Sequence, residues 1–243
     1  MKKLKHGLAI LLSMAGMGFV STVSATLISR PGGMVYDTDR NITWLADANL
    51  AASNTFGVGG INTNGTMSWY TAQSWVAAMD AANYLGYNNW RLPTTLQLDA
   101  SCGYQLVLLS YGWNCTGSEL GHLFYGDINH GLGGVADLTI ASHHNANYGL
   151  FSNIISSDRV DVYWSGTDNM QSPNLNGAWW FSANNGFEAT AYKGSGYYAW
   201  AVRSGDVAAA VPEPGIVWLL GVGIAGWLGT RAWRREGVSP VVL

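Results

Sequence analysis

The 243-residue chain carries twelve Lys and Arg against fifteen Asp and Glu, a formal charge of −3, and half of its basic residues sit at the two ends. Between Thr26 and Ala210, six basic residues face thirteen acidic ones, a net of −7. With no basic patch to release counterions, nucleic acid and other polyanions are poor partners.

Lys2, Lys3 and Lys5 precede an apolar run from Leu8 to Val20, and Val23-Ser24-Ala25 offers a small-residue cleavage site. Residues 1–25 therefore read as a secretory signal peptide, with cleavage after Ala25. The following part, residues 26–206, is long enough for one domain with a real core. Thr26 to Tyr36 encloses Pro31-Gly32-Gly33 and reads as two short strands around a turn; Ile42 to Leu45 returns as a third. Between them, Asp37-x-Asp39-x-Asn41 has the spacing of a calcium loop. Ile42 stands where that loop needs glycine, and no Glu closes it, so an Asx turn is the favoured reading.

Ala51 to Thr66 is a Gly/Asn/Thr loop. Thr71 can cap a helix running to Leu85, with Ala72, Trp75, Val76, Met79 and Ala82 on one apolar face and Gly86 closing it. In Trp90-Arg91-Leu92-Pro93-Thr94, the guanidinium of Arg91 is expected to hold a carboxylate or backbone carbonyls. Cys102 and Cys115 are the only cysteines. Outside the cytoplasm such a pair reads as a disulfide, contributing about 3 kcal/mol in the chain-entropy picture; a two-thiolate metal site is the alternative.

A short helix is expected after Ser118, carrying Leu120, Leu123 and Phe124. Its Glu119-x-x-His122 occurs once only, and His122, His130, His143 and His144 form no spaced cluster with Asp127 or Asp137. No metal and no cofactor are expected. Gly131-Leu132-Gly133-Gly134 lacks the context of a phosphate loop. Strand-like runs follow at 160–164, 177–182, 187–192 and 197–202, separated by Asn-rich turns.

Residues 207–211 form a linker, and residues 212–236 have a distinct order. Pro212-Glu213-Pro214 opens 17 uncharged residues, Pro214 to Thr230, before Arg231, Arg234 and Arg235. A helix over 215–230 reaches roughly 25 Å, and Trp218, Trp227, Trp233 and snorkelling arginines cover the shortfall against a bilayer. The arginines set the C-terminus in the cytoplasm. Two prolines hold the chain extended, where a protease can grip it. This order of elements resembles the PEP-CTERM sorting signal, recognised by an exosortase in Gram-negative bacteria that make exopolysaccharide. The resemblance implies an inner-membrane intermediate, then delivery to the outer membrane, cell surface or extracellular matrix.

A second resemblance covers about Gly33 to Asp206. Trp69 at a helix entry, Trp90-Arg91-Leu92-Pro93-Thr94, Tyr36-Asp37 with Ile42-Thr43-Trp44, Tyr163 to Thr167, Ala178 to Phe181 and Ala201-Val202-Arg203 are similar to the Lcl C-terminal domain of a bacterial collagen-like adhesin. It implies a C-type-lectin-like α+β fold, which agrees with helices placed early and short aromatic strands after them. The carboxylate usual a few residues after Pro-Thr is Gln97 here, which puts any role for it in doubt.

Aromatic rings beside amides and carboxylates suit sugar recognition, and Trp179, Trp180, Asn184, Asn185, Glu188 and Tyr198 are the candidate ligand residues. An exopolysaccharide or a host glycan is the expected partner, and the alternative is a structural matrix component without a specific ligand. No Gly-x-Ser-x-Gly elbow or paired carboxylates stand out, so an enzyme, such as one of the formylglycine-generating-like fold, is the minor alternative and no catalytic residue is expected. N-terminal sequencing of the exported protein should read from Thr26; a start elsewhere refutes cleavage at Ala25.

Overall fold

A computed structural model describes residues 27–125, 146–155, 161–169 and 176–207. The signal peptide with Ala25 and the sorting tail with Pro212, Glu213, Pro214, Arg231, Arg234, Arg235 and the 215–230 span lie outside them. So do His130, His143, His144, Asp127, Asp137 and the 131–134 glycine run. Among the described residues no helix is long and apolar enough to cross a membrane.

These residues are mainly antiparallel β-sheet with two α-helices. Strands β1 (Leu27–Arg30), β2 (Met34–Asp37) and β3 (Ile42–Leu45) form a meander. It is extended by β10 (Val202–Ser204) and β4 (Trp90–Arg91), in the order β1-β2-β3-β10-β4. A second sheet contains β7 (Val162–Asn169), β8 (Gly177–Ser182) and β9 (Glu188–Tyr192), with β8 in the middle. The third is a hairpin of β5 (Tyr104–Gln105) and β6 (Ser110–Tyr111).

Helix α1 spans Trp69–Ala81 and buries Ala72, Trp75, Val76 and Met79, packing on β4 and β7. It starts two residues before Thr71 because Ser68 is the cap, its hydroxyl accepting from the Thr71 amide at 3.2 Å. It stops at Ala81 rather than Leu85 because Asn83 and Leu85 adopt left-handed backbone, with φ of 48° and 56°. The second helix, α2 (Glu119–Tyr125), buries the expected Leu120, Leu123 and Phe124. Gly121 is required there: a Cβ would collide with the Cys115 carbonyl, so a side chain would push the helix off the Cys102–Cys115 loop.

The C-terminal segment sews the two larger sheets together. Residues 197–201 form no regular strand, unlike the sequence expectation. They pair piecewise instead: Tyr197 with Met67, Tyr198 with Val162 and Trp164, Ala201 with Leu45. A segment that changes partner every second residue cannot keep one ladder, so its strand begins only at Val202. Tryptophans fill the seam. Trp44 and Trp200 pack edge-on at 5.4 Å, and Trp75, Trp164 and Trp179 are fully buried.

Arg91 carries out its expected role. Its guanidinium donates bidentately to Glu119 at 2.6 and 2.7 Å and to the Leu92 carbonyl at 3.1 Å. Glu119 also accepts from the Thr94 amide at 2.7 Å, while its own amide donates to Thr94. The Trp-Arg-Leu-Pro-Thr stretch is thereby fastened to the start of α2 by a fork-shaped ion pair. Glu119→Ala leaves Arg91 and the Thr94 amide unpaired, and should lower stability by about 2–4 kcal/mol in urea denaturation.

Candidate functional site

The region from Cys102 to Cys115 contains no charged residue and is closed by a disulfide between its ends, with Cα atoms 4.2 Å apart. The expected pairing of Cys102 with Cys115 is therefore present. The two-thiolate metal alternative falls, because sulfurs joined to each other are not thiolate ligands. Within the loop, the Gly103 amide donates to Trp113, β5 pairs with β6, and Leu106 bonds to Leu109 around a tight turn. Gln105 donates to the carbonyls of Asp99 and Cys102 and accepts from Ser110 Oγ. The Ser110 amide reaches back to the carbonyl of Gln97.

A loop this short cannot bury its own apolar side chains. Leu106 and Leu108 are each 57% exposed and Val107, at the tip, 92%. Beside them lies an aromatic face. Tyr104 and Tyr111 stack at 5.0 Å, Tyr104 lies 6.1 Å from Trp113, and Trp113 meets Phe187 edge-on at 4.7 Å. Contacts continue inward from Phe187 through Trp180 and Tyr197 to the buried Trp164. Tyr104 and Trp113 remain 46% and 43% exposed, so rings anchored in the core present open faces to solvent.

The hairpin is moored by Glu188. Its amide and carbonyl pair with those of Gly112, both at 2.8 Å, tying β6 to β9. Its side chain is fully buried, accepting from Ser118 Oγ at 2.8 Å and Thr95 Oγ1 at 3.4 Å, within 4.8 Å of the cysteine sulfurs. Burial pushes this carboxyl up to about 8. The Ser118 and Thr95 hydroxyl bonds oppose the shift, and the charge of Asp99 adds to it.

Most of the ligand residues expected from sequence belong to the interior. Trp179 and Glu188 are fully buried and Tyr198 is buried against Tyr163. The reason is that β8 is central and covered on both faces, so alternation along it exposes no stacking platform. Trp180 is half-buried and joins the aromatic chain described above. Asn184 is half-buried, and Asn185 is exposed in the β8–β9 turn, its Oδ1 accepting from the Phe187 amide. Tyr104, Tyr111, Trp113 and Phe187 were not among those candidates. The signal for three of them was in the sequence: Tyr, Leu, Val and Trp crowded between two cysteines too close together to enclose them.

The family model of the Lcl C-terminal domain matches residues 33–203, more than two thirds of the chain. The chain belongs to the Lcl C-terminal domain family. A model of the PEP-CTERM protein-sorting motif matches residues 210–235, which marks this Lcl-domain protein as exported and sorted by an exosortase in Gram-negative bacteria. No curated protein and no solved structure matches the chain. In this Lcl domain the aromatic hairpin holds exposed rings, and the buried Glu188 lies at its attachment.

The Glu188 carboxyl gives that attachment a pH dependence. Below the ordinary carboxylate range both folded and unfolded chains hold its proton, and no penalty applies. As pH rises toward about 8 the unfolded chain loses the proton and the folded one keeps it, so stability falls; above that the penalty is constant. Urea midpoints at pH 5, 6.5 and 8 should fall across this window. Glu188→Gln should flatten the fall, recovering a few kcal/mol at pH 8.

Proposed function

We propose that this exported, exosortase-sorted protein binds polysaccharide at the cell surface or in the biofilm matrix, through the aromatic face of its Lcl domain. The observation that carries this reading is the half-exposed pair Tyr104 and Trp113, held open by rings rooted in the core. Pyranose rings offer apolar C–H faces to such platforms, and the uncharged hairpin suits a ligand read by stacking. The acidic balance of residues 26–210 favours a neutral polysaccharide over an anionic one. A sorting route tied to exopolysaccharide producers, and the adhesin from which the domain is known, support the same direction by analogy.

In this reading the protein is a binder rather than a catalyst, and its fold is C-type-lectin-like. Domain limits at 26–206, a linker at 207–211 and a tail at 212–236 with a membrane helix over 215–230 complete it. Exosortase acts on the inner-membrane intermediate before delivery to the outer membrane, surface or matrix. A second reading, a structural matrix component without a ligand, draws on the burial of Trp44, Trp75, Trp164, Trp179 and Trp200.

Calorimetry against the producing strain's own exopolysaccharide separates the two. Saturable heat, weakened about tenfold or more by Trp113→Ala and by Tyr104→Ala, supports the aromatic face at about 1–2 kcal/mol per ring. Flat traces against that polymer and a panel of host glycans leave the structural role.

A further inference from the structure

We propose that the tip of the disulfide hairpin enters a lipid surface, with Leu106, Val107 and Leu108 in the apolar layer and Tyr104 and Trp113 at the level of the headgroups. The inference goes beyond the polysaccharide reading, which uses the ring faces and gives the aliphatic tip no partner.

The distribution of aliphatic exposure carries it. Among the described residues, the large aliphatic side chains exposed by half or more are Leu96, Leu98, Leu106, Val107 and Leu108. They belong to one place in the fold. The Gln97 carbonyl, between Leu96 and Leu98, accepts from the Ser110 amide at 2.7 Å, which sets that stretch against β6 of the hairpin. Elsewhere among the described residues Leu, Ile, Val and Met side chains are buried or half-buried. Branched aliphatic chains give a pyranose neither a flat face nor a hydrogen bond, so the tip is not a sugar platform.

The chemistry is graded from the tip inward, as at a membrane boundary. Val107 leads at 92% exposure with Leu106 and Leu108 beside it, and the half-exposed rings of Tyr104 and Trp113 stand behind. Tyr and Trp are the side chains that settle where an apolar layer meets water. Residues 100–118 carry no charge, so the tip brings no ion to desolvate. The flanking charges are already engaged: buried Asp99 accepts from Ser101 and the Gly117 amide, and Glu119 from Arg91. Polar groups of the hairpin are turned inward as well. The Leu106 amide donates to Leu109 across the turn, and the Gln105 side chain is spent on the carbonyls of Asp99 and Cys102.

A second copy of the chain is the competing occupant, and the patch is too small for it. Specific protein interfaces take about 20–30 residues a side, whereas a bilayer accepts a tip of a few side chains. The sequence also keeps a membrane within reach. The described domain ends at Val207, and the uncharged run begins at Pro214. With that run read as a membrane helix, the chain between them spans at most about 25 Å, so the domain stays beside the surface it would touch. The acidic balance of residues 26–210 favours zwitterionic lipid over anionic.

The test puts a photoreactive benzophenone amino acid in place of Val107 in the full-length protein, mixed with phosphatidylcholine vesicles. The same group replaces Thr63, exposed in the 51–66 loop, as the comparison. Illumination should join lipid to position 107 about tenfold or more in excess over position 63, whatever the tail does. Added salt should leave that yield unchanged, since the contact is apolar. Leu106→Ser with Leu108→Ser should cut it about tenfold or more. These two substitutions should leave the calorimetric heat with polysaccharide as it was, whereas Trp113→Ala weakens that heat, so either reading can fail alone. Equal lipid labelling at the two positions, none at either, or a yield that survives the serine pair overturns the proposal. So does a benzophenone bridge between two copies of the chain, or a loss of polysaccharide heat in the serine pair, which puts sugar on the tip instead.

Discussion

The fold depends on what tryptophan offers to irregular backbone. Outside three small sheets and two helices much of the described chain is loop, and loops that enter a core bring carbonyls that must be bonded. Five indole N–H groups meet that need: Trp69 to Ser165, Trp75 to Asn54, Trp90 to Tyr84, Trp164 to Met67 and Trp200 to Leu45, at 2.8 to 3.1 Å. Each ring adds large apolar area while its one polar atom ties a loop to a neighbouring element or, for Trp69, ties α1 to β7. A Leu core of similar volume would leave those carbonyls unpaired, at about 1–3 kcal/mol each. This explains how a domain with so little charge and so much glycine holds a dense interior.

The same economy of charge makes the few buried ionic groups consequential. Arg91 with Glu119 joins β4 to α2, and Lys193, 5% exposed, pairs with Asp168 at 2.7 Å while lying over the Trp69 ring at 4.6 Å. Glu188 has hydroxyl partners rather than a cation, and burial holds its proton up to about 8 against the opposing pull of those hydroxyl bonds. Its place under the hairpin links the interior to the surface. The disulfide, the Gly112 pairing and Glu188 together fasten the hairpin that carries the aromatic face.

Both halves of the molecule's logic point outward. The sorting motif delivers the chain to the exterior, where a disulfide persists, and the Lcl domain presents an uncharged aromatic surface there. The acidic balance of residues 26–210 disfavours polyanions.

Much of this was legible in the sequence because it rests on local order. The charge pattern and apolar runs at both ends, the Trp-Arg-Leu-Pro-Thr stretch and the Cys102–Cys115 pair depend on residues near one another, so export, sorting, family and disulfide could be read directly. The apolar periodicity of α1 was also local, but its true cap, Ser68, competed with Thr71 three residues on. What the sequence could not settle is which aromatic rings face solvent. Trp179 and Trp113 look alike in isolation. Trp179 is buried because β8 is flanked by β7 and β9 and covered on both faces, while Trp113 is exposed because a short disulfide loop has nothing to fold over it. The meeting of His122 with Asp37 and Asp39, at 3.5 and 3.7 Å, is likewise tertiary, since spacing along a chain says nothing of distance across a fold. Local order determined the family and the export of this protein; three-dimensional packing decided which aromatic rings stand open to solvent.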